Sequence, residues 1–232
     1  MEVRGPAPGP VRQAEPRPAC RTATRVLLSS AAHPTGMTRD VEVLLFDGFD
    51  ELDAVGPYEV LDAGAREGAD LAVSTVTHRP VETVTAGHGL EIVPDGTVGD
   101  PDVLVVPGGG WTTEGGVRAV VEDGTVPATV GDRHAAGATL ASVCTGAMVL
   151  AEAGVLDGRP ATTHHVAHDD LAAVADRVDA RVVDDGDVVT SGGITAGIDM
   201  ALYLLEREFG ADVAEAVARE LECERSGDVH RA

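Results

Sequence analysis

The sequence predicts an α/β fold, a three-layer sandwich in which a mostly parallel sheet is covered by helices on both faces. Three observations predict it. Short apolar runs rich in β-branched residues alternate with helical patterns from Val41 onward, one run is apolar at every position, and glycine marks several strand ends. Strands separated by helices cross over to pair in parallel, and a sheet buried on both faces carries continuous rather than alternating apolar runs.

Residues 41–46 (VEVLLF) read as the first strand, residues 56–66 as the first helix and residues 71–76 (LAVSTV) as the second strand. The run 103–106 (VLVV) belongs in the middle of the sheet, and Pro107 with three glycines closes it. Helical patterns near 116–122 and 128–136 precede a strand at 139–143 (TLASV), which runs straight into a helix expected over 145–153 and stopped by Gly154. Residues 182–190 (VVDDGDVVT) read as two strands around an Asp185-Gly186 turn. Ile194, Ile198, Ala201, Leu202, Leu205 and Phe209 recur at helical spacing up to Gly210, and residues 213–223 form a last amphipathic helix. With no internal repeat, this gives a head over 1–39, one domain over 40–226 and a tail over 227–232.

Charge narrows the function. The 232 residues carry 39 acidic side chains against 17 basic ones, all of them arginine, for a formal net charge of −22. Such a body repels phosphate backbones, which argues against nucleic acid as a partner. Its acidity and lack of lysine suggest adaptation to concentrated salt, with an acidic surface from coding bias as the plainer alternative. The head is different: Arg4, Arg12, Arg17, Arg21, Arg25 and Arg39 face only Glu2 and Glu15 there, and its proline content reads as disorder. Met37 is the better start of the folded unit, and an over-extended upstream start explains the rest. No apolar run approaches the ~20 residues of a membrane helix. Cys20, Cys144 and Cys223 are too few and too scattered for a disulfide framework, so a reducing, cytoplasmic setting is expected.

In open α/β sheets chemistry gathers at the carboxyl ends of strands. Cys144 stands at such a junction, in Ser142-Val143-Cys144-Thr145-Gly146, where a strand turns directly into a helix. A thiol facing a helix N-terminus is expected to have a lowered pKa; the alternative is a small apolar side chain packed at a strand end. Pro107-Gly108-Gly109-Gly110 forms a second junction, where the amides of Gly109 and Gly110 are candidates for an oxyanion pocket or simply part of a turn. Asp53 lies at a third, either as a helix cap or, if buried beside a partner, as a general acid/base.

Together these junctions resemble the DJ-1/PfpI superfamily, the class I glutamine amidotransferase-like fold, over about residues 41–209. Within it the pattern is closest to the isonitrile hydratase-like branch. The blocks that carry the likeness are Phe46-Asp47-Gly48-Phe49 with Leu52-Asp53 and Gly56-Pro57, then Pro107-Gly108-Gly109-Gly110, then Val143-Cys144-Thr145-Gly146-Ala147. Ala161-Thr162-Thr163-His164 and Gly192-Gly193-Ile194-Thr195 complete it. The resemblance implies a flavodoxin-like sandwich with a nucleophile elbow, a homodimer and a small-molecule substrate. It makes Cys144 the nucleophile, Asp53 its acidic partner and Thr145 a neighbouring hydroxyl. Thr145 stands where the intracellular-peptidase branch has histidine, which argues against a peptidase Cys-His pair. His165 replaces a tryptophan common in relatives and is expected to alter the pocket wall. His164 either orients Cys144 or satisfies a backbone carbonyl.

The implied chemistry is hydration of an isonitrile to an N-substituted formamide, which requires no metal, nucleotide or flavin. Three alternatives stay open: a glyoxalase- or deglycase-like activity on reactive aldehydes, a non-catalytic small-ligand sensor, and a metal protein using His164 and His168. The third needs both histidines on one helix face, and the break expected at Thr163 argues against that.

Overall fold

The computed structural model describes residues 38–226 and 229–232. The chain runs β1 (Arg39–Leu44), α1 (Glu51–Arg66), β2 (Leu71–Thr77), β3 (Val84–Thr85), β4 (Glu91–Ile92), β5 (Gly96–Thr97) and β6 (Val103–Val106). It continues through α2 (Gly116–Asp123), α3 (Thr125–Ala135), β7 (Thr139–Val143), a 3₁₀ turn at Cys144–Gly146, α4 (Ala147–Glu152) and β8 (Pro160–Ala161). A second 3₁₀ turn (His165–Ala167), α5 (His168–Ala172), β9 (Asp176–Arg177), β10 (Val182–Asp184), β11 (Val188–Ser191), α6 (Ala196–Phe209), α7 (Ala211–Glu220) and β12 (Val229–Arg231) complete it.

Eight strands form one sheet in the order β12-β10-β11-β7-β6-β1-β2-β5, parallel throughout except for the β10–β11 hairpin. Helices α1, α6 and α7 pack together as one group, and α2, α3 and α4 as another. The central strands are buried as their continuous apolar runs require: Val43, Leu44, Leu104, Val105, Val106, Leu140 and Val143 are fully enclosed. Gly64 lets α1 lie close on α6, because a Cβ there would come within 2.4 Å of Leu205.

The strands expected around 41–46, 71–76, 103–106 and 139–143, and the hairpin at Asp185-Gly186, all form. Several boundaries differ. The first helix begins at Glu51 rather than residue 56, because Asp50 caps it, accepting the Leu52 amide at 3.2 Å. Arg39 belongs to β1, paired with Leu71, and not to the head; the rest of the head, apart from Thr38, lies outside the described residues. The expected 227–232 tail includes β12, which pairs in parallel with β10. Three residues are too few to show a strand period, so only the partner strand makes this element legible. The helix expected from residue 145 opens instead as the Cys144–Gly146 3₁₀ turn. Among the described residues no helix is long and apolar enough to cross a membrane.

Candidate active site

Cys144 leaves β7 with φ 56°, a left-handed conformation costly for any L-residue with a Cβ. Two buried partners hold it there. Its amide donates to the Gly192 carbonyl at 2.9 Å, and the Thr163 hydroxyl donates to its carbonyl at 2.8 Å. The turn sits against the end of β6: a Cβ on Gly146 would lie 2.3 Å from the Val106 carbonyl oxygen, so only glycine fits beneath the cysteine.

Asp53, in the first turn of α1, is fully buried and therefore does not act as the cap, a role taken by Asp50. Its Oδ2 accepts the Gly108 amide at 3.1 Å, while Oδ1 has no hydrogen-bond partner. Gly108 must be glycine, since a Cβ would come within 2.6 Å of Asp53 Oδ2 and 2.7 Å of the Thr145 amide. The first glycine of the Gly108-Gly109-Gly110 run thus joins the carboxylate to the cysteine turn.

Asp53 and Cys144 act directly on each other. Burial, reinforced by the charge of Asp50, pushes the Asp53 carboxyl up to about 7, against the opposing pull of the thiol and the Gly108 amide. Burial also pushes the Cys144 thiol up to about 12; the Asp53 charge adds to it, and contacts with Thr145 oppose it. This reverses the lowered thiol pKa expected from the helix N-terminus. The cysteine enters a 3₁₀ turn followed by a helix of only six residues, whose dipole is outweighed by enclosure beside a carboxylate. At neutral pH the thiol keeps its proton, and the carboxyl stands near its midpoint, able to accept or release one.

Thr145 is buried, and its hydroxyl is fully engaged: it accepts the Gly109 amide at 2.9 Å and donates to the Gly109 carbonyl at 2.8 Å. The Gly109 amide is therefore not a free oxyanion donor, contrary to the expectation for Gly109 and Gly110 as a pair. Gly110 lies at the rim of a cleft whose other walls include Gly48, Asp50, His88, Gly109 and Gly116. Asp50, whose charge bears on both Asp53 and His164, carries electrostatic weight that its helix-cap position does not advertise.

His164 follows the Thr163 anchor, and its Nδ1 accepts the Val166 amide at 3.4 Å. Its ring lies beside Gly193, where a Cβ would approach it to 3.0 Å. Partial burial, followed by the charges of His165 and His168, holds its pKa down, so the imidazole is neutral near pH 7. His165 is exposed, its ring centroid 4.1 Å from that of His164. His168 opens α5 with Nε2 3.2 Å from the Thr163 carbonyl oxygen, whereas His164 precedes the second 3₁₀ turn, so the two do not share a helix face. Among the described residues no group of three metal-ligating side chains comes together. Thr163 and Gly192, which hold the cysteine, were visible in the sequence only as parts of larger blocks; strand crossovers bring them to it.

A family model described as the DJ-1/PfpI family matches residues 39–207. The chain belongs to the DJ-1/PfpI family. Its fold is the flavodoxin-like α/β sandwich of that family. It is 40% identical over 190 residues to isonitrile hydratase of Pseudomonas putida, covering 80% of this chain and 79% of the relative. It is 34% identical to the HTH-type transcriptional regulator CdhR of Pseudomonas aeruginosa, covering 79% of this chain and 55% of the regulator. The crystal structure of Drosophila melanogaster DJ-1beta matches with a TM-score of 0.72 at 26% identity, over 81% of this chain and all of that one.

Proposed function

We propose that this DJ-1/PfpI protein is a cysteine-dependent hydratase that converts an isonitrile and water to an N-substituted formamide. The observation that carries the reading is the buried Asp53–Cys144 pair, a protonated thiol beside a carboxyl poised near pH 7. The 40% identity to isonitrile hydratase supports it.

An isonitrile carbon is a weak base and becomes electrophilic as it gains a proton. In the proposed sequence Asp53 takes the thiol proton and delivers it to the terminal carbon while sulfur bonds to that carbon, giving an enzyme-bound thioimidate. Water then adds to the thioimidate carbon, and Asp53 accepts one water proton and passes it to the nitrogen, giving R–NH–CH(OH)–S on the enzyme. Collapse breaks the C–S bond and releases R–NH–CHO, while Asp53 carries the remaining hydroxyl proton to the departing sulfur. Thr145, with its hydroxyl committed to Gly109, positions the turn rather than carrying protons. Neutral His164 and exposed His165 line the approach. We further propose a homodimer in the cytoplasm, with the exposed Leu52 and Val55 on α1 as apolar surface for the second copy.

The test is a parallel screen of isonitriles and methylglyoxal at high salt, using wild type and Cys144→Ser. Formamide production that vanishes in the variant is expected. Turnover of methylglyoxal alone would favour the aldehyde reading. Saturable binding without turnover would favour a ligand sensor, the reading to which the likeness to a transcriptional regulator lends weight.

A further inference from the structure

The strand ends beside Cys144 offer four backbone amides, and each already has a partner. The Cys144 amide donates to the Gly192 carbonyl at 2.9 Å, and the Gly108 amide to Asp53 Oδ2 at 3.1 Å. The Gly109 amide donates to the Thr145 hydroxyl at 2.9 Å, and the Thr145 amide turns to the Cys144 sulfur. Gly110 stands further out, at the rim of the neighbouring cleft. Two of the four partners are the reacting groups themselves, and a third, the Gly192 carbonyl, anchors the cysteine. The fourth is a hydroxyl that carries no proton in the proposed hydration, yet it is buried and returns a hydrogen bond to the Gly109 carbonyl at 2.8 Å.

Occupied amides decide what can react. When a thiol attacks an ester or an aldehyde, negative charge develops on the carbonyl oxygen, and N–H donors set in advance around that oxygen supply much of the rate. An isonitrile makes no such demand. Its carbon takes a proton as sulfur bonds to it, and the later adduct R–NH–CH(OH)–S keeps its oxygen as a hydroxyl.

We propose that Thr145 is a specificity-determining residue: by occupying the Gly109 amide it denies the site an oxyanion donor, and so excludes esters and aldehydes in favour of substrates that are protonated at carbon. This deepens the hydratase reading and rests on Cys144 as the reacting group. With the hydroxyl removed, the Gly109 amide faces the space it vacates, beside the cysteine. Ester cleavage then has what it lacked. Sulfur bonds to the ester carbon as Asp53 takes the thiol proton, the Gly109 amide holds the negative oxygen, and the alcohol leaves as its anion while Asp53 gives its proton to solvent. Water next adds to the thioester carbon, the C–S bond breaks, and the free acid and the thiol are restored.

The test measures p-nitrophenyl acetate hydrolysis and cyclohexyl isonitrile hydration by the full chain, as wild type, Thr145→Ala, Thr145→Ser, Cys144→Ser and the double variant Thr145→Ala with Cys144→Ser. Thr145→Ala should raise ester hydrolysis by about tenfold or more, the scale of one oxyanion donor, and the double variant should lose the gain. Thr145→Ser also gives up the methyl group but keeps the hydroxyl on Gly109, and it should gain no ester hydrolysis. A folded Thr145→Ala without the gain overturns the proposal, as does an equal gain in Thr145→Ser, which would trace to room and not to the amide. Melting curves identify an alanine variant that fails to fold, and wild type then decides: ester hydrolysis that depends on Cys144 and outpaces isonitrile hydration overturns the role of Thr145, and the reverse order upholds it. A wild type inactive on the isonitrile whose Thr145→Ala variant gains ester hydrolysis through Cys144 overturns the hydratase reading and leaves Thr145 its role.

Discussion

The Thr145 hydroxyl accepts a hydrogen bond from the Gly109 amide and returns one to the Gly109 carbonyl, a reciprocal staple between the cysteine turn and the glycine-rich end of β6. Thr145→Val keeps the shape and loses both bonds, leaving two backbone groups unpaired. Stability should fall by about 1–3 kcal/mol, and turnover by on the order of tenfold, as Cys144 loses its fixed position. Thr145→Ser should restore most of each. Chemical denaturation and steady-state kinetics check it, and an unaffected valine variant would show that the staple is dispensable.

Asp53→Asn should abolish turnover, by ~100-fold or more, because asparagine neither gives nor recovers a proton. His164→Ala should only weaken it, since nothing in the site bonds the imidazole to Cys144. Circular dichroism and thiol titration on both variants separate lost chemistry from lost structure.

The same carboxyl should also shape the stability profile. Folding raises the Asp53 pKa from the ordinary 3.8 to about 7, so the folded chain holds this proton more tightly than the unfolded one. The resulting stabilisation is complete below the unfolded value and is lost as pH rises through about 7. Asparagine stays neutral throughout, so Asp53→Asn should gain on wild type by on the order of 4 kcal/mol well above neutrality and by little in acid. Urea midpoints across pH give the comparison, and a constant difference would mean that Asp53 is not neutralised by folding.

Gly108→Ala should cost roughly 1–3 kcal/mol, because the methyl group has to displace the Asp53 carboxylate and the Thr145 backbone together. It should also depress turnover more than Gly96→Ala, a control at an exposed site with no positive φ and open space around the added methyl. Equal effects of the two substitutions on activity would deny Gly108 its place between acid and cysteine.

Stability should rise as KCl is raised from 0.1 M to 1 M, where the screening length shrinks from about 10 Å to about 3 Å. The net charge of −22 supplies the repulsion being relieved. A flat series of midpoints would assign the acidity to coding bias.

The fold was legible where burial dictates composition. Val103–Val106 and Thr139–Val143 announce central strands because both faces are covered, and the glycine-rich turn and Cys144 mark their carboxyl ends. Elements whose existence depends on a distant partner were not legible: the two-residue β3 and β4, and β12. The site divides the same way. Residue types at strand ends pointed to Cys144 and Asp53, but the direction of the thiol's pKa depends on enclosure and on a carboxyl 91 positions away, which no local pattern encodes. The committed amide of Gly109 likewise follows from Thr145, brought in from the next strand.

The short strand β12 has a consequence for how the molecule keeps to itself. Without Val229–Arg231, the hairpin strand Val182–Asp184 would present a row of unpaired backbone groups along one side of the sheet, a template onto which another chain could add. With them, that margin is three residues long and carries His230 and Arg231, and the opposite margin is only the Gly96–Thr97 pair. Val182–Asp184 would be an equally short rim but a buried one, so it is the exposed, charged face of Val229–Arg231 rather than its length that sets this margin against another molecule. Trimming the last four residues should therefore show first as self-association during storage, before any loss at the distant cysteine.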